Sequence, residues 1–140
     1  MNKTPFPKEA SIIITYRCNA KCHMCNTWQY PSKPEDEIKP SDLESLPKNM
    51  VFCNITGGEP FIRQDIGEFV KVFTKKVRRI FVSTNGYFTD RVVKLAEQYP
   101  KLGIRVSIEE LPWTNDQLRV IRLLSSFNRF VGHFASVRIG

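Results

Sequence analysis

The chain has 140 residues, of which 41% are hydrophobic and 25% charged, and a formal net charge of +7. That is enough apolar material for the core of one ordinary domain, and no apolar run approaches the ~20 residues of a membrane span. Only four cysteines occur and no apolar signal-like stretch follows Met1, which argues against a disulfide-stapled secreted scaffold. A reducing, cytoplasmic setting and no membrane association are expected. Four of the seven net charges come from Arg119, Arg122, Arg129 and Arg138, in a stretch without lysine or acid. The remainder carries no basic patch with interleaved aromatics, which disfavours nucleic acid as a partner.

In chain order, residues 11–15 (Ser-Ile-Ile-Ile-Thr) form a β-branched run of the kind expected for a strand buried on both faces. Directly after it come Cys18, Cys22 and Cys25, spaced CxxxCxxC. Thiolates are the soft ligands that iron–sulfur clusters select, and three of them leave one iron of a cubane open to an exogenous ligand. Zinc competes for such a site, and His23 lies within the loop. Structural zinc sites pair two ligand knuckles, however, and no second CxxC or HxxxH follows. The spacing favours iron–sulfur over zinc, and both over a disulfide.

Residues 30–37 read as a solvated connection. Pro40 opens a short helix, with Ser41 or Asp42 as its N-cap. A second strand is expected over 51–56, with Cys53 as a small buried hydrophobe, and it runs into Gly57-Gly58-Glu59-Pro60. Residues 65–73 place Ile66, Phe69, Val70 and Phe73 on one helical face. A third strand over 79–83 ends in Ser83-Thr84-Asn85-Gly86. Thr89 is expected to cap a helix over 90–98 that turns Val92, Val93, Leu95 and Ala96 inward. A fourth strand over 104–108 is closed by Ser107 and Glu109.

This alternation predicts an α/β fold, a parallel sheet with right-handed crossovers. Each unusual polar cluster falls at the C-terminal end of a strand, the rim where parallel α/β folds collect ligand-binding groups.

The cysteine motif, Gly57-Gly58-Glu59-Pro60, Ser83-Thr84-Asn85-Gly86 and Ser107-Ile108-Glu109, in this order, resemble the motifs of the radical S-adenosylmethionine (radical SAM) superfamily. The resemblance is nearest to its cofactor-maturation and peptide-modifying branch. It implies a partial (βα) parallel barrel of about four strand–helix units. It also implies a [4Fe–4S] cluster on Cys18, Cys22 and Cys25, and SAM chelated at the open iron. Arg17 and Lys21 would favour the thiolates. Gly57 and Gly58 would let the backbone approach the methionine part, with Glu59 accepting from its ammonium group and Pro60 fixing the turn. Ser83, Asn85, Ser107 and Glu109 would bond the ribose or carboxylate, and Met24 would lie by the adenine. Trp28 is expected to pack over the loop.

Reductive cleavage of SAM to a 5′-deoxyadenosyl radical, using an external electron donor, would then modify a substrate that the sequence does not identify. In relatives glycine usually follows the fourth motif, where this chain has Glu110. A complete barrel has six units. The composition break assigns 1–118 to the core and 119–140 to an atypical tail, as in a truncated or frame-shifted relative. On that reading an open sheet edge invites self-association, and a non-catalytic cluster-binding remnant or interaction module is the alternative function, with a zinc module third.

Overall fold

The computed structural model describes residues 7–108 and 112–121. Residues 109–111, with Glu109 and Glu110, and residues 122–140 of the tail lie outside them. Four strands, β1 (Glu9–Thr15), β2 (Met50–Gly57), β3 (Val77–Thr84) and β4 (Gly103–Val106), form one sheet in the order β1-β2-β3-β4. All three pairings are parallel. Helix α1 (Ile66–Thr74) links β2 to β3, α2 (Thr89–Gln98) links β3 to β4, and α3 (Pro112–Arg119) follows β4. This is the expected α/β partial barrel.

The first unit departs from the expected pattern. Between β1 and β2 lie only 3-10 turns, Thr27–Gln29, Pro34–Asp36 and Pro40–Ser45. The turn at Pro40 has Lys39 at its N-cap position, and Lys39 N–H donates to Asp42 Oδ2 at 2.7 Å. Neither Ser41 nor Asp42 is the cap. Asp42 instead reaches back from the third position, as a capping-box acid does. Thr89 likewise lies inside α2, after Phe88 at the N-cap position, and its hydroxyl donates to Gly86 O at 2.9 Å.

The core lies between the sheet and its helices. Ile66, Phe69, Val70 and Phe73 of α1 are all buried, as their spacing predicts. They meet Ile14, Cys53, Ile55, Ile80 and Val82 of the strands, with Val92 and Leu95 from α2. Val93 and Ala96 are only half-buried. Cys53 is fully buried, and desolvation pushes its thiol up to about 12.

β1 is not buried on both faces. Its residues alternate in exposure, and Ile13 is 43% exposed. Among the described residues, α1 and α2 cover the outer face of the sheet. On the inner face Asn54 and Phe81 are in register, as are Phe81 and Gly103. Arg105 there stacks over the Phe81 and Phe52 rings, 4.4 and 5.2 Å from their centroids. A Cβ at Gly103 would come within 2.3 Å of the Phe81 ring, which would have to move aside.

Phe69 is wholly enclosed and its ring lies under the Arg63 guanidinium, 4.7 Å from the centroid. Phe69→Ala is expected to cost about 3–5 kcal/mol of stability in chemical denaturation, as a full cavity does. A loss below about 1 kcal/mol would contradict this core assignment.

Candidate functional site

The site begins where β1 and β2 end. The register slips between Ile13 and Thr15, so that Thr15 lies opposite Gly57. Gly57 adopts φ +148°, and a Cβ there would sit 2.2 Å from Thr15 O. At Gly58 it would sit 2.3 Å from Arg17 O. Past the strand ends the pairing continues: Gly58 N–H donates to Thr15 O and Glu59 N–H to Arg17 O, each at 2.9 Å. The glycines are thus required by the chain's own backbone, whereas the sequence reading assigned their bareness to a ligand.

Beyond Arg17 the chain forms the cysteine loop. Cys18, Cys22 and Cys25 are free thiols that face one cavity of about 190 Å³, partly open to solvent. Gly57 and Gly58 from the end of β2, Ser83 and Asn85 from β3, and Ser107 after β4 line the same cavity, as does Met24. The loop winds around the Cys22 carbonyl, which accepts from Cys25 N–H at 3.2 Å and from Trp28 Nε1 at 3.3 Å. Trp28 therefore packs on the loop, and Lys21 Nζ lies 5.8 Å from its ring centroid. Cys22 is buried, while Cys18 and Cys25 are half-buried. Cys18 Sγ accepts from Ala20 N–H at 3.4 Å, and Cys25 Sγ donates to Thr27 Oγ1 at 3.3 Å.

Among the described residues no three His, Cys, Asp or Glu are arranged around a single metal ion. The sulfurs instead share a cavity, and a cluster takes each thiolate on a different iron. His23 is exposed and does not line the cavity. The donor set is therefore all sulfur and fits an iron–sulfur cluster better than a Cys/His zinc knuckle.

Two expected roles are changed by the geometry. Arg17 does not face the thiols. Its guanidinium grips Glu37 in a bidentate pair, Nε to Oε1 at 2.8 Å and Nη2 to Oε2 at 2.9 Å. Burial pushes the Cys18 thiol up, against the Ala20 hydrogen bond. Glu59 is fully enclosed and does not line the cavity. Its Oε1 accepts from Phe61 N–H (3.0 Å) and Thr84 Oγ1 (2.8 Å), and its Oε2 from Asn85 N–H (2.7 Å). Desolvation raises its pKa against these bonds. Pro60 is buried beside it. Glu59 thereby braces the turn that carries Asn85, whose Nδ2 donates to Asn19 Oδ1 in the cysteine loop at 2.9 Å. Ser83 Oγ donates to Asn54 Oδ1 at 3.0 Å.

The residue that sequence reasoning missed is Glu37. It sits at the end of the stretch read as solvated, yet it is buried. Ser32 Oγ donates to its Oε1 at 2.6 Å, Thr15 Oγ1 donates to the same oxygen, and Arg63 Nη1 lies 3.5 Å from Oε2. Arg63 also donates to Ile14 O (2.8 Å) and Ile38 O (2.7 Å) and forms a bidentate pair with Asp65. The sequence carried no local signal for it, because its arginine partners, Arg17 and Arg63, lie in other segments of the chain.

The family model of the radical SAM superfamily matches residues 12–129. The chain belongs to the radical SAM superfamily. It is 32% identical over 93 residues to the antilisterial bacteriocin subtilosin biosynthesis protein AlbA of Bacillus subtilis, covering 61% of this chain and 20% of that protein. It is 31% identical over 103 residues to a probable GTP 3′,8-cyclase of Thermococcus kodakarensis, covering 69% and 33% respectively. Among solved structures, Streptococcus suis SuiB bound to S-adenosylmethionine matches with a TM-score of 0.75 at 20% identity, covering 92% of this chain and 31% of SuiB. SuiB has also been solved bound to its precursor peptide SuiA. The chain thus spans a fifth to a third of the length of these relatives. The matched segment extends beyond residue 118, and Ile121 packs on the cysteine loop. No helix among the described residues is long and apolar enough to cross a membrane.

Burial pushes the Glu37 carboxyl up, but the hydrogen bonds from Arg17, Ser32 and Thr15 outweigh it and bring the group from 4.5 down to about 2. A depressed carboxylate stabilises the fold above its unfolded pKa and loses that contribution as pH falls through the folded value. The stability gap between wild type and Glu37→Gln is expected to be full above pH 4.5 and to shrink toward pH 2. A gap constant from pH 6 to about pH 2, followed by denaturant melts, would contradict the ionised latch.

Proposed function

We propose that this chain binds a [4Fe–4S] cluster through Cys18, Cys22 and Cys25, binds SAM in the adjoining cavity, and carries out radical chemistry on a substrate. The observation that carries this reading is the convergence of three free thiols with Gly57, Gly58, Ser83, Asn85 and Ser107 on one cavity. Radical SAM proteins use such a cluster with SAM. When bound, the cluster supplies the electron that cleaves SAM reductively to methionine and a 5′-deoxyadenosyl radical, which takes hydrogen from the substrate.

The chain's own residues position and shield. Gly57 and Gly58 offer an edge without side chains to the methionine part. Ser83, Asn85 and Ser107 offer hydroxyl and amide groups to the ribose or carboxylate, with Glu109 proposed beside them. Met24, 54% exposed at the cavity mouth, offers a polarizable face to the adenine. Glu59, already bonded by three donors of the chain, is assigned the bracing of Asn85 and Thr84 instead of direct contact with the ammonium group. Pro60 holds that turn.

An external electron donor and an unidentified substrate of cofactor-maturation or peptide-modifying type complete the proposal. AlbA, the cyclase and SuiB, whose names and titles refer to bacteriocin biosynthesis, GTP cyclisation and a precursor peptide, favour that range. β1 and β4 are the edge strands of the described sheet, and self-association through them is part of the same proposal.

Anaerobic reconstitution with iron and sulfide, followed by electron paramagnetic resonance of the reduced protein, tests the reading. A [4Fe–4S]⁺ signal that shifts on adding SAM is the expected result, and Cys22→Ala is expected to lose cluster iron. A cluster with no response to SAM would favour non-catalytic cluster binding. Unchanged iron in Cys22→Ala would remove the ligand assignment, and tightly held zinc in its place would favour the zinc module.

A further inference from the structure

Residues 118–121 fold back onto the cysteine loop, nearly a hundred positions away in sequence. His23 N–H donates to Leu118 O at 3.0 Å. Cys22 Sγ donates to Arg119 O at 3.6 Å, and Arg119 Nη1 lies 4.0 Å from the same sulfur. Ile121 is buried against Ala20 and Cys22, with Cys18 and Cys25 packed around them. Its N–H donates to Asp116 O at 3.3 Å.

Val120, between the two contact residues, is held at φ 50°, a left-handed conformation that a β-branched side chain rarely adopts. Relaxing Val120 to an ordinary backbone would redirect the chain between Arg119 and Ile121. The strained turn therefore lets Ile121 reach the loop while Arg119, before it, holds Cys22, which points to a constraint at the site.

We infer that residues 118–121 form a clamp over the cysteine loop, in which Arg119 is a positioning residue that sets the electrostatics at Cys22. This rests on the proposal that Cys22 ligates the cluster. A ligating thiolate has no proton to donate to Arg119 O, so the favourable neighbour becomes the guanidinium, a fixed positive charge beside the sulfur. One-electron reduction of the cluster adds negative charge, and a nearby cation favours the product. Cys22 and Ile121 are both buried and packed together, so the charge is screened less there than in bulk water. The clamp therefore raises the cluster's reduction potential.

The test compares wild type, Arg119→Gln and Arg119→Lys, reconstituted and titrated with dithionite under electron paramagnetic resonance. The midpoint potential is expected to shift to more negative values in Arg119→Gln and to be largely restored in Arg119→Lys. Equal potentials in all three would overturn the role of Arg119. A second readout needs no cluster: amide hydrogen exchange at His23 in the apoprotein, wild type against Ile121→Ala. Faster exchange at His23 with the β2 and β3 amides unchanged is expected of a clamp, and unaltered exchange at His23 would overturn it. Failure of the wild type to assemble a cluster would remove the cofactor reading and Arg119's role together, while His23 exchange would still decide the clamp.

Discussion

The backbone of Thr15–Arg17 runs against Gly57–Glu59, and every other feature of the site depends on that pairing. Two hydrogen bonds of 2.9 Å continue the β1–β2 ladder beyond the strand ends, and both need residue positions 57 and 58 to lack a side chain. A methyl group 2.2 Å from a carbonyl oxygen has no rotamer by which to escape, and the strands would have to part. Parting them would separate the cysteine loop from the wall of the cavity it faces. Main-chain geometry thus sets where Cys18 enters the site, and side chains act only on that frame.

The ionised groups nearest the site are engaged mainly with one another. Glu37 joins Arg17, Ser32, Thr15 and Arg63, and so ties the start of the cysteine loop to the segment before β2 and to the turn after Pro60. Glu59 ties that same turn to the end of β3. Arg91 on α2 donates to Phe61 O and, at 2.7 Å, to Arg63 O. Buried ion pairs of this kind add little net stability, because desolvation offsets the attraction, but removing one partner leaves an uncompensated charge. What they do visibly is tie segments distant in sequence to one another. Under the proposed function, reductive cleavage of SAM would need no acid or base from the protein, and the carboxylates would be available as braces.

Much of this was legible in the sequence because it is periodic or local. The four strands, the buried face of α1 and the C-terminal rim follow from hydrophobic spacing, and the thiols follow from their own clustering. The failures have physical causes. Caps depend on backbone dihedrals at single residues, so Thr89 and Asp42 were displaced by one position or more. Glu37 was misread because Arg17 and Thr15, two of its main partners, are 20 and 22 residues away, and Ser32 alone does not distinguish an anchored acid from a solvated one. Arg17 was expected to serve its sequence neighbours, yet a guanidinium follows the best carboxylate in space. The inner face of β1 was read as buried because apolar residues at 12–14 fit a two-sided strand, whereas the described residues place no element on that face.

The cysteine loop has little regular structure of its own, a single 3-10 turn at Thr27–Gln29. It is instead held by contacts distant in sequence: Arg17 to Glu37, Arg17 O to Glu59, Asn19 to Asn85, and His23 to Leu118. The bond from Glu59 to Arg17 O needs β1 and β2 side by side, that from Asn85 to Asn19 needs β3 in place as well, and that from His23 to Leu118 needs α3 to have turned back. Loop closure on that scale must be completed before its contacts add stability. An assembled cluster would then act only on the folded state, stabilising it as any ligand that binds the native form does. Folding of the sheet and organisation of the sulfurs are in this sense one event, which accounts for constraints on the cavity reaching as far as Glu37 and Ile121, neither of which lines it.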